Sequence, residues 1–219
     1  MTATHTDAPA SFSATVRART AGDHRHAEHA PFMGALLDGT LRADGYVDLL
    51  AQHRYAYEAI EAAADRLAQH PEVAPFLHPG LERLPSLDAD LADLAGPGWA
   101  ERFPATPATA AYVARLQEVG ATWPGGYVAH HYTRYLGDLS GGQHIGRIAA
   151  RTYGLTPTHG GRFSRFEGID ATAVKDAYRA SLDAAPWDGE EQERVIAEIQ
   201  EAYRLNTAVF SSLDHHVTA

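Results

Sequence analysis

From Tyr46 the apolar and bulky positions run Leu49, Leu50, His53, Tyr57, Ile60, Ala64 and Leu67. Steps of three and four draw one stripe along a helix of about 25 residues, with Asp44 as its N-cap. Thr106-Pro107 reads as an N-cap followed by proline at the first helical position, and Gly120 closes the helix that begins there. Asp188, with Glu191 three residues on, resembles a capping box that opens a helix through Val195, Ile199, Ala202, Val209 and Leu213. The same periodicity predicts helices near 12–29, 32–38, 86–95, 124–153 and 171–183. No two segments alternate as paired strands do, and no repeat of fixed period is present. Gly154 to Gly168, with Pro157, Gly160 and Gly161, is the longest loop. The pattern is that of one all-α, multi-helix domain over 11–214, with a flexible N-terminal tail at 1–10 and a C-terminal tail at 215–219.

Composition narrows the function classes. Of 219 residues 45% are hydrophobic and 21% charged, the balance of a globular chain with a sizeable core. Cysteine is absent, which removes disulfides, thiolate ligation of zinc or iron, and cysteine nucleophiles together. Lys+Arg 18 against Asp+Glu 28 leave a net charge of −10, opposite to the basic footprint of nucleic-acid binding. Lys175 is the only lysine. No apolar run reaches the ~18 residues of a membrane span. The polar start MTATHTDAPASFSA lacks the charged-then-apolar order of a secretory signal. These features predict a soluble, cytoplasmic protein, and the lack of an obvious apolar surface stripe is in keeping with a monomer.

Thirteen histidines are many for this length. His5, His215 and His216 lie near the termini and are expected to be solvated. His53 falls on the buried stripe as a packing residue, while His70, His78 and His159 sit beside helix ends or in loops. The run Asp23-His24-Arg25-His26-Ala27-Glu28-His29 stands apart. Positions i and i+4 differ by about 40° around a helix, so His24 and Glu28 share a face that His26 leaves. A carboxylate there accepts from Nδ1–H, directly or through water, leaving Nε2 free and more basic as a ligand for a metal or haem iron.

The second unusual run is Tyr132-Thr133-Arg134-Tyr135-Leu136-Gly137-Asp138-Leu139-Ser140-Gly141-Gly142-Gln143. Each glycine inside a helix costs about 1 kcal/mol relative to alanine. Such a helix must bend, or its main chain must be touched by something flat. Gly137 and Gly141 stack on one face; a close helix–helix crossing also satisfies that spacing. A phosphate loop would need a Gly-Lys-Ser/Thr ending, which is missing. Asp138 sets an ionisable group between the glycines. Together the two runs suggest a flat ligand between a histidine helix and a glycine helix, and haem has that shape.

Arg134 through Gln143 resembles the signature of the haem oxygenases, and His24 through Glu28, followed by Phe32-Met33, is similar to that family's proximal-ligand helix. The similarity runs from about residue 12 to 213 and matches the compact bacterial members, which produce biliverdin. The resemblance implies a monomeric oxidoreductase, a monooxygenase of haem catabolism, with haem b held between a proximal helix and a Gly-kinked distal helix. Haem is then both substrate and cofactor, cleaved at a meso carbon to biliverdin, CO and ferrous iron. O2 is consumed, and electrons come from a ferredoxin or an NAD(P)H-dependent flavin reductase. By motif position His24 is the axial iron ligand and Glu28 its partner. Gly137 and Gly141 close over the distal face with Ser140 and Gly142 beside them, and Asp138 anchors a water network that delivers protons. Lys175 and Arg179 match a propionate-binding pair, Arg17 a further basic propionate contact, and Tyr132 a propionate-neighbouring tyrosine. Tyr57 aligns with a distal-pocket tyrosine, and Asn206 and Phe210 with a C-terminal helix segment that lines or supports the pocket. Arg134 fits either the distal hydrogen-bond network or a structural salt bridge.

Some residues depart from the family pattern. His26 and His29 add imidazoles near the ligand helix without the partner spacing. His144 stands where an apolar residue is expected, facing outward or altering the distal network. The loop around Arg162, Phe163 and Arg165 receives no role. Two other functions stay in view. A haem carrier needs no carboxylate between glycines, so Asp138 speaks against it. A non-haem metal enzyme of related helical build needs HExxH or paired Glu-x-x-His, and the chain has neither.

Overall fold

A computed structural model describes residues 10–217, and among them the chain forms helices and no strands. The order is α1 (Phe12–Glu28), α2 (Pro31–Leu37), α3 (Ala43–Leu67), α4 (Leu84–Ala95), α5 (Trp99–Arg102), α6 (Pro107–Thr122), α7 (Pro124–His131), α8 (Gln143–Tyr153), α9 (Ala171–Asp183) and α10 (Gly189–Ser212). Two π-helical segments, Tyr132–Leu136 and Asp138–Gly142, carry the chain from α7 into α8. Single 3₁₀ turns form at Ala74–Phe76, Pro79–Leu81 and Asp214–His216. The loop after α8 has only isolated bridge contacts, from Thr156 to His159 and Gly160. No helix among the described residues is long and apolar enough to cross a membrane.

Local chemistry opens several helices where the sequence places them. Thr106 Oγ1 accepts the Thr109 N–H at 3.2 Å ahead of Pro107. Asp188 Oδ1 accepts the Glu191 N–H at 2.9 Å. The reciprocal half of that capping box is not made, because the Glu191 carboxylate takes the Trp123 indole N–H and Arg194 instead. Asp44 is not the N-cap of α3. The helix starts earlier, from Arg42 in extended backbone without a capping side chain, and Asp44 sits in the first turn, where its charge meets the positive end of the helix dipole. Nor does Gly120 end α6, which runs on to Thr122. A Cβ at Gly120 would stand 2.7 Å from the Ala63 methyl, so this glycine lets α6 and α3 cross closely.

The core lies where α3, α6, α7 and α10 pack together, around fully buried Leu50, Tyr57, Ile60, Leu116, Tyr127 and Ile199. Within it His130 meets Glu198 Oε1 at 2.7 Å and Arg115 meets Oε2 at 2.6 Å. Burial by itself would raise the Glu198 pKa, but His130 and Arg115 outweigh it and hold the carboxyl at about 2. A folded pKa below the unfolded one stabilises above the unfolded pKa, and that contribution fades as pH falls. Glu198→Gln is therefore expected to cost on the order of 3 kcal/mol at neutral pH by urea unfolding, since it removes the buried carboxylate that His130 and Arg115 both contact. The difference from the parent chain should close as pH drops from about 5 to about 2; a gap independent of pH would show that the carboxylate charge contributes nothing.

The end of the described chain is docked. His216 Nε2 lies 3.0 Å from Asp48 Oδ2, with its side chain 13% exposed, and Gln52 holds the other Asp48 oxygen at 2.7 Å. Gly45 makes room, since a Cβ there would stand 2.8 Å from that of His216. Asp214 accepts the Phe32 N–H at 3.2 Å, near the start of α2, whose N-cap Ala30 offers no side chain. His216 is thus not solvated, although His215 is exposed. The stretch from 215 begins inside a docked turn rather than as a free tail. His5 and the rest of residues 1–9, with 218–219, lie outside the described residues.

Candidate active site

One wall of the site is α1. Ser11 caps the helix, and burial of Val16, Thr20 and Ala27 fixes its inner face, leaving His24 and Glu28 on an open edge. His24 Nδ1 lies 3.3 Å from Glu28 Oε2, and the imidazole meets Tyr203 edge-on with ring centres 5.8 Å apart. With Nδ1 turned to the carboxylate, Nε2 keeps its lone pair for a ligand. His26 and His29 are exposed and line no part of the cleft, and His29 Nδ1 instead contacts the Arg25 carbonyl at 2.6 Å.

The facing wall is the pair of π-helical segments. Wide π turns recur at functional sites because they displace the main chain without ending the helix. A Cβ added at Gly137 or Gly141 would meet nothing within 4 Å among the described residues. These glycines therefore face open space, not a crossing helix, and the bare backbone forms a cradle that side chains would fill. Gly146 differs, since a Cβ there would collide with Ser164 of the loop.

Between the walls runs a cleft open to solvent at its mouth. His24 and Glu28 line one side and Arg134, Gly137, Asp138, Gly141 and Gly142 the other. Asn206, Phe210 and Tyr203 of α10 close it, with Met33, Tyr46, Leu49, Leu50 and Ile145 supplying apolar surface. Sequence reasoning assigned the loop around Phe163 no role, yet Phe163 and Ser164 reach the cleft. Asp90 accepts the Arg162 and Phe163 N–H groups at 2.8 Å, and buried Arg83 donates to the Phe163 and Arg165 carbonyls at 3.2 and 2.7 Å. Those partners lie 70 or more residues away, so no local motif announces them.

One polar network occupies the cleft. Arg134, 6% exposed, donates to Asn206 Oδ1 at 2.7 Å and to His53 Nδ1 at 2.9 Å, with its Cζ 4.8 Å from the centre of the Tyr57 ring. Its hydrogen-bond partners among the described residues are thus an amide and an imidazole rather than a carboxylate. Its Nε is buried without a partner. The Tyr57 hydroxyl donates to Asp138 Oδ2. Burial raises the Asp138 pKa, while Arg134 and the Tyr57 hydroxyl pull it back only in part, so it stays above the ordinary aspartate value. Tyr57 is fully buried and does not line the cleft, so it acts on Asp138 from behind rather than as a ligand contact. His144 is exposed and belongs to neither wall.

The residues assigned to propionates are not on the cleft wall. Lys175 Nζ stands 3.5 Å from Ser140 Oγ, and Arg179 pairs with Asp176 at 2.7 Å. Burial raises the Tyr132 hydroxyl pKa, and the positive fields of Arg179 and Arg17 both act against that rise. Lys175 thus stands beside Ser140, and Arg17 and Arg179 lie near enough to Tyr132 for their charges to act on it.

A histidine–carboxylate pair on one helix facing bare main chain on another, across a largely apolar cleft, marks an all-helical protein shaped for a flat ligand. The family model described as "Heme oxygenase" matches residues 10–212, and the chain belongs to the haem oxygenase family. Heme oxygenase 1 of Nostoc sp. is 36% identical over 200 residues, covering 91% of this chain and 84% of that protein. Heme oxygenase 1 of Homo sapiens is 38% identical over 213 residues, covering 96% and 74%. The crystal structure of heme oxygenase-1 from Synechocystis in complex with heme superposes with a TM-score of 0.89 at 33% identity, over 95% of this chain and 94% of that one. That of heme oxygenase-2 from the same organism, with heme and NO, gives 0.90 at 31% identity, over 95% and 87%.

Proposed function

We propose that this chain cleaves haem b oxidatively at a meso carbon, giving biliverdin, CO and ferrous iron from O2 and externally supplied electrons. The observation that carries this reading is the cradle of Gly137 and Gly141 facing His24, with Asp138 set between them. When bound, haem supplies the iron at which dioxygen is activated and the porphyrin edge that is oxidised. His24 Nε2 would hold that iron, and Glu28, with Oε2 3.3 Å from Nδ1, is placed to orient the ring. The glycine backbone keeps side chains away from the distal face and leaves room only for small molecules above the ring. Asp138 has one oxygen taken by Tyr57 and the other free to hold water, so protons arrive through water rather than from a side chain pressed against the reacting atoms. A carrier would need His24 and the apolar walls alone; the Tyr57–Asp138 pair has no use in storage.

Arg17, Lys175 and Arg179 form the rim that meets the propionates, with Tyr132 and Ser140 between them, and Gly142, Asn206 and Phe210 complete the haem contacts. A ferredoxin or an NAD(P)H-dependent flavin reductase delivers electrons near this basic rim, a local exception to the net charge of −10. The same reading makes the protein a cytoplasmic monomer. The test is the visible absorption of the protein mixed with haem, followed after reductant is added in air. A sharp Soret band that decays to broad biliverdin absorption, with iron captured by a ferrous chelator, is expected. A Soret band stable to both ascorbate and a ferredoxin system would overturn the oxygenase reading in favour of a carrier.

A further inference from the structure

His53 lies on the α3 stripe as a packing residue, yet its imidazole is one edge of the cleft. Its Nδ1 stands 2.9 Å from Arg134 NH2. A guanidinium only donates hydrogen bonds, so this ring nitrogen accepts and carries no proton. The single proton of a neutral imidazole then sits on Nε2, which is a donor and not an acceptor. A doubly protonated ring would set an N–H against the guanidinium. Burial first, and then the Arg134 charge, push the His53 pKa well below the usual imidazole value.

The ring has little freedom to turn. Its centre lies 5.5 Å from that of Phe163 and 6.5 Å from that of Phe210, both on the cleft wall. Arg134, which holds Nδ1, is itself held by Asn206 at 2.7 Å. Nε2 makes no hydrogen bond among the described residues, and it is not among the buried atoms left without a partner. It is therefore a fixed N–H open to the cleft. Asp138 belongs to the same network through Tyr57, whose ring stacks beneath Arg134.

We propose that His53 is a positioning residue of the distal cleft, its Nε2–H donating to an ordered water that Asp138 reaches from the other side. The water then has a neutral donor on the α3 side and a carboxylate acceptor on the glycine side, which fixes its position and orientation in the cleft. This inference rests on the haem oxygenase reading for its role, while the tautomer it requires belongs to the haem-free protein.

The test has two arms. In the haem-free chain labelled with ¹⁵N-histidine, His53 is expected to show an unprotonated Nδ1 and a protonated Nε2, with any titration displaced well below the usual imidazole range. A proton on Nδ1, or ordinary titration of the ring, would overturn the proposal without touching the haem reading. In the ferric haem complex, a donor favours the deprotonated form of the distal water. His53→Leu should therefore raise the pH midpoint of the alkaline spectral transition by about 0.5–1 unit, the size of one net hydrogen bond. It should also slow biliverdin formation about three- to tenfold while leaving the Soret band in place. His53→Gln offers an oxygen to Arg134 and an N–H₂ to the cleft, and should restore both readouts. If leucine leaves them unchanged, or glutamine fails as leucine does, His53 holds no water. Absence of a Soret band in the parent chain would instead remove the haem reading and the role built on it.

Discussion

Replacing His24 by alanine is expected to reduce biliverdin formation by more than about 100-fold, because no other imidazole is placed to take over the iron. His24 is the cleft histidine of α1, while His26 and His29 are exposed and line none of it. His53 lies across the cleft on α3 with its Nδ1 already committed to Arg134. The apolar walls remain in His24→Ala, so haem still enters, but with weakened affinity and a broadened, shifted Soret band. Added imidazole should restore the band and part of the turnover by filling the space of the missing ring. The fold should not suffer, because the His24 side chain is 47% exposed and packs only edge-on against Tyr203. Far-UV circular dichroism and the melting temperature then stay close to those of the parent chain. Glu28→Gln should give a milder loss, about 10-fold, since it replaces the carboxylate beside Nδ1 by a neutral, weaker acceptor and leaves the ligand in place. Full turnover in His24→Ala, or its loss in His26→Ala instead, would overturn the ligand assignment.

The features legible in the chain are those set by neighbours in sequence. Thr106 and Asp188 open their helices with their own side chains, and the pairing of His24 with Glu28 needs only one helical turn. The remainder is set by groups far along the chain. Arg134 reaches Asn206 across 72 residues and His53 across 81, and no spacing rule links them. Periodicity therefore placed His53 correctly on the inner face of α3 but could not say that a guanidinium would claim its Nδ1. Glycine shows the same limit. Gly120 and Gly137 look alike as interruptions of a helix, and only what stands opposite the missing Cβ, Ala63 or an open cleft, separates close packing from a ligand cradle. Tyr57 sits at a stripe position that fits both core and pocket, and only the fold puts it behind Asp138 instead of on the wall. His216, near the end of the chain, suggested solvent until Asp48 and Gly45 were seen to receive it. Motif position singled out Lys175 and Arg179, but no spacing rule could say that both would stand off the cleft wall.

Asp138→Ala is expected to keep haem binding within about threefold and to lower biliverdin formation by about 100-fold or more, the scale of a lost proton-delivery group. Binding survives because His24 and the apolar walls do not depend on Asp138. Turnover falls because the free carboxylate oxygen that holds water is gone. The group must accept from water to work, so it acts as a carboxylate. Its pKa is raised, by burial above all, and so it protonates at higher pH than an exposed aspartate. The rate of the parent chain should therefore decline on the acid side from above the ordinary carboxylate range, and Asp138→Asn should lack that limb. Tyr57→Phe supplies the sign test. The Tyr57 hydroxyl donates to Asp138 and lowers its pKa, so its removal should move the acid limb to still higher pH while leaving the plateau rate mostly intact. If the limb stays fixed in Tyr57→Phe and persists in Asp138→Asn, it belongs to another group, and normal turnover in Asp138→Ala would remove the carboxylate from the chemistry altogether.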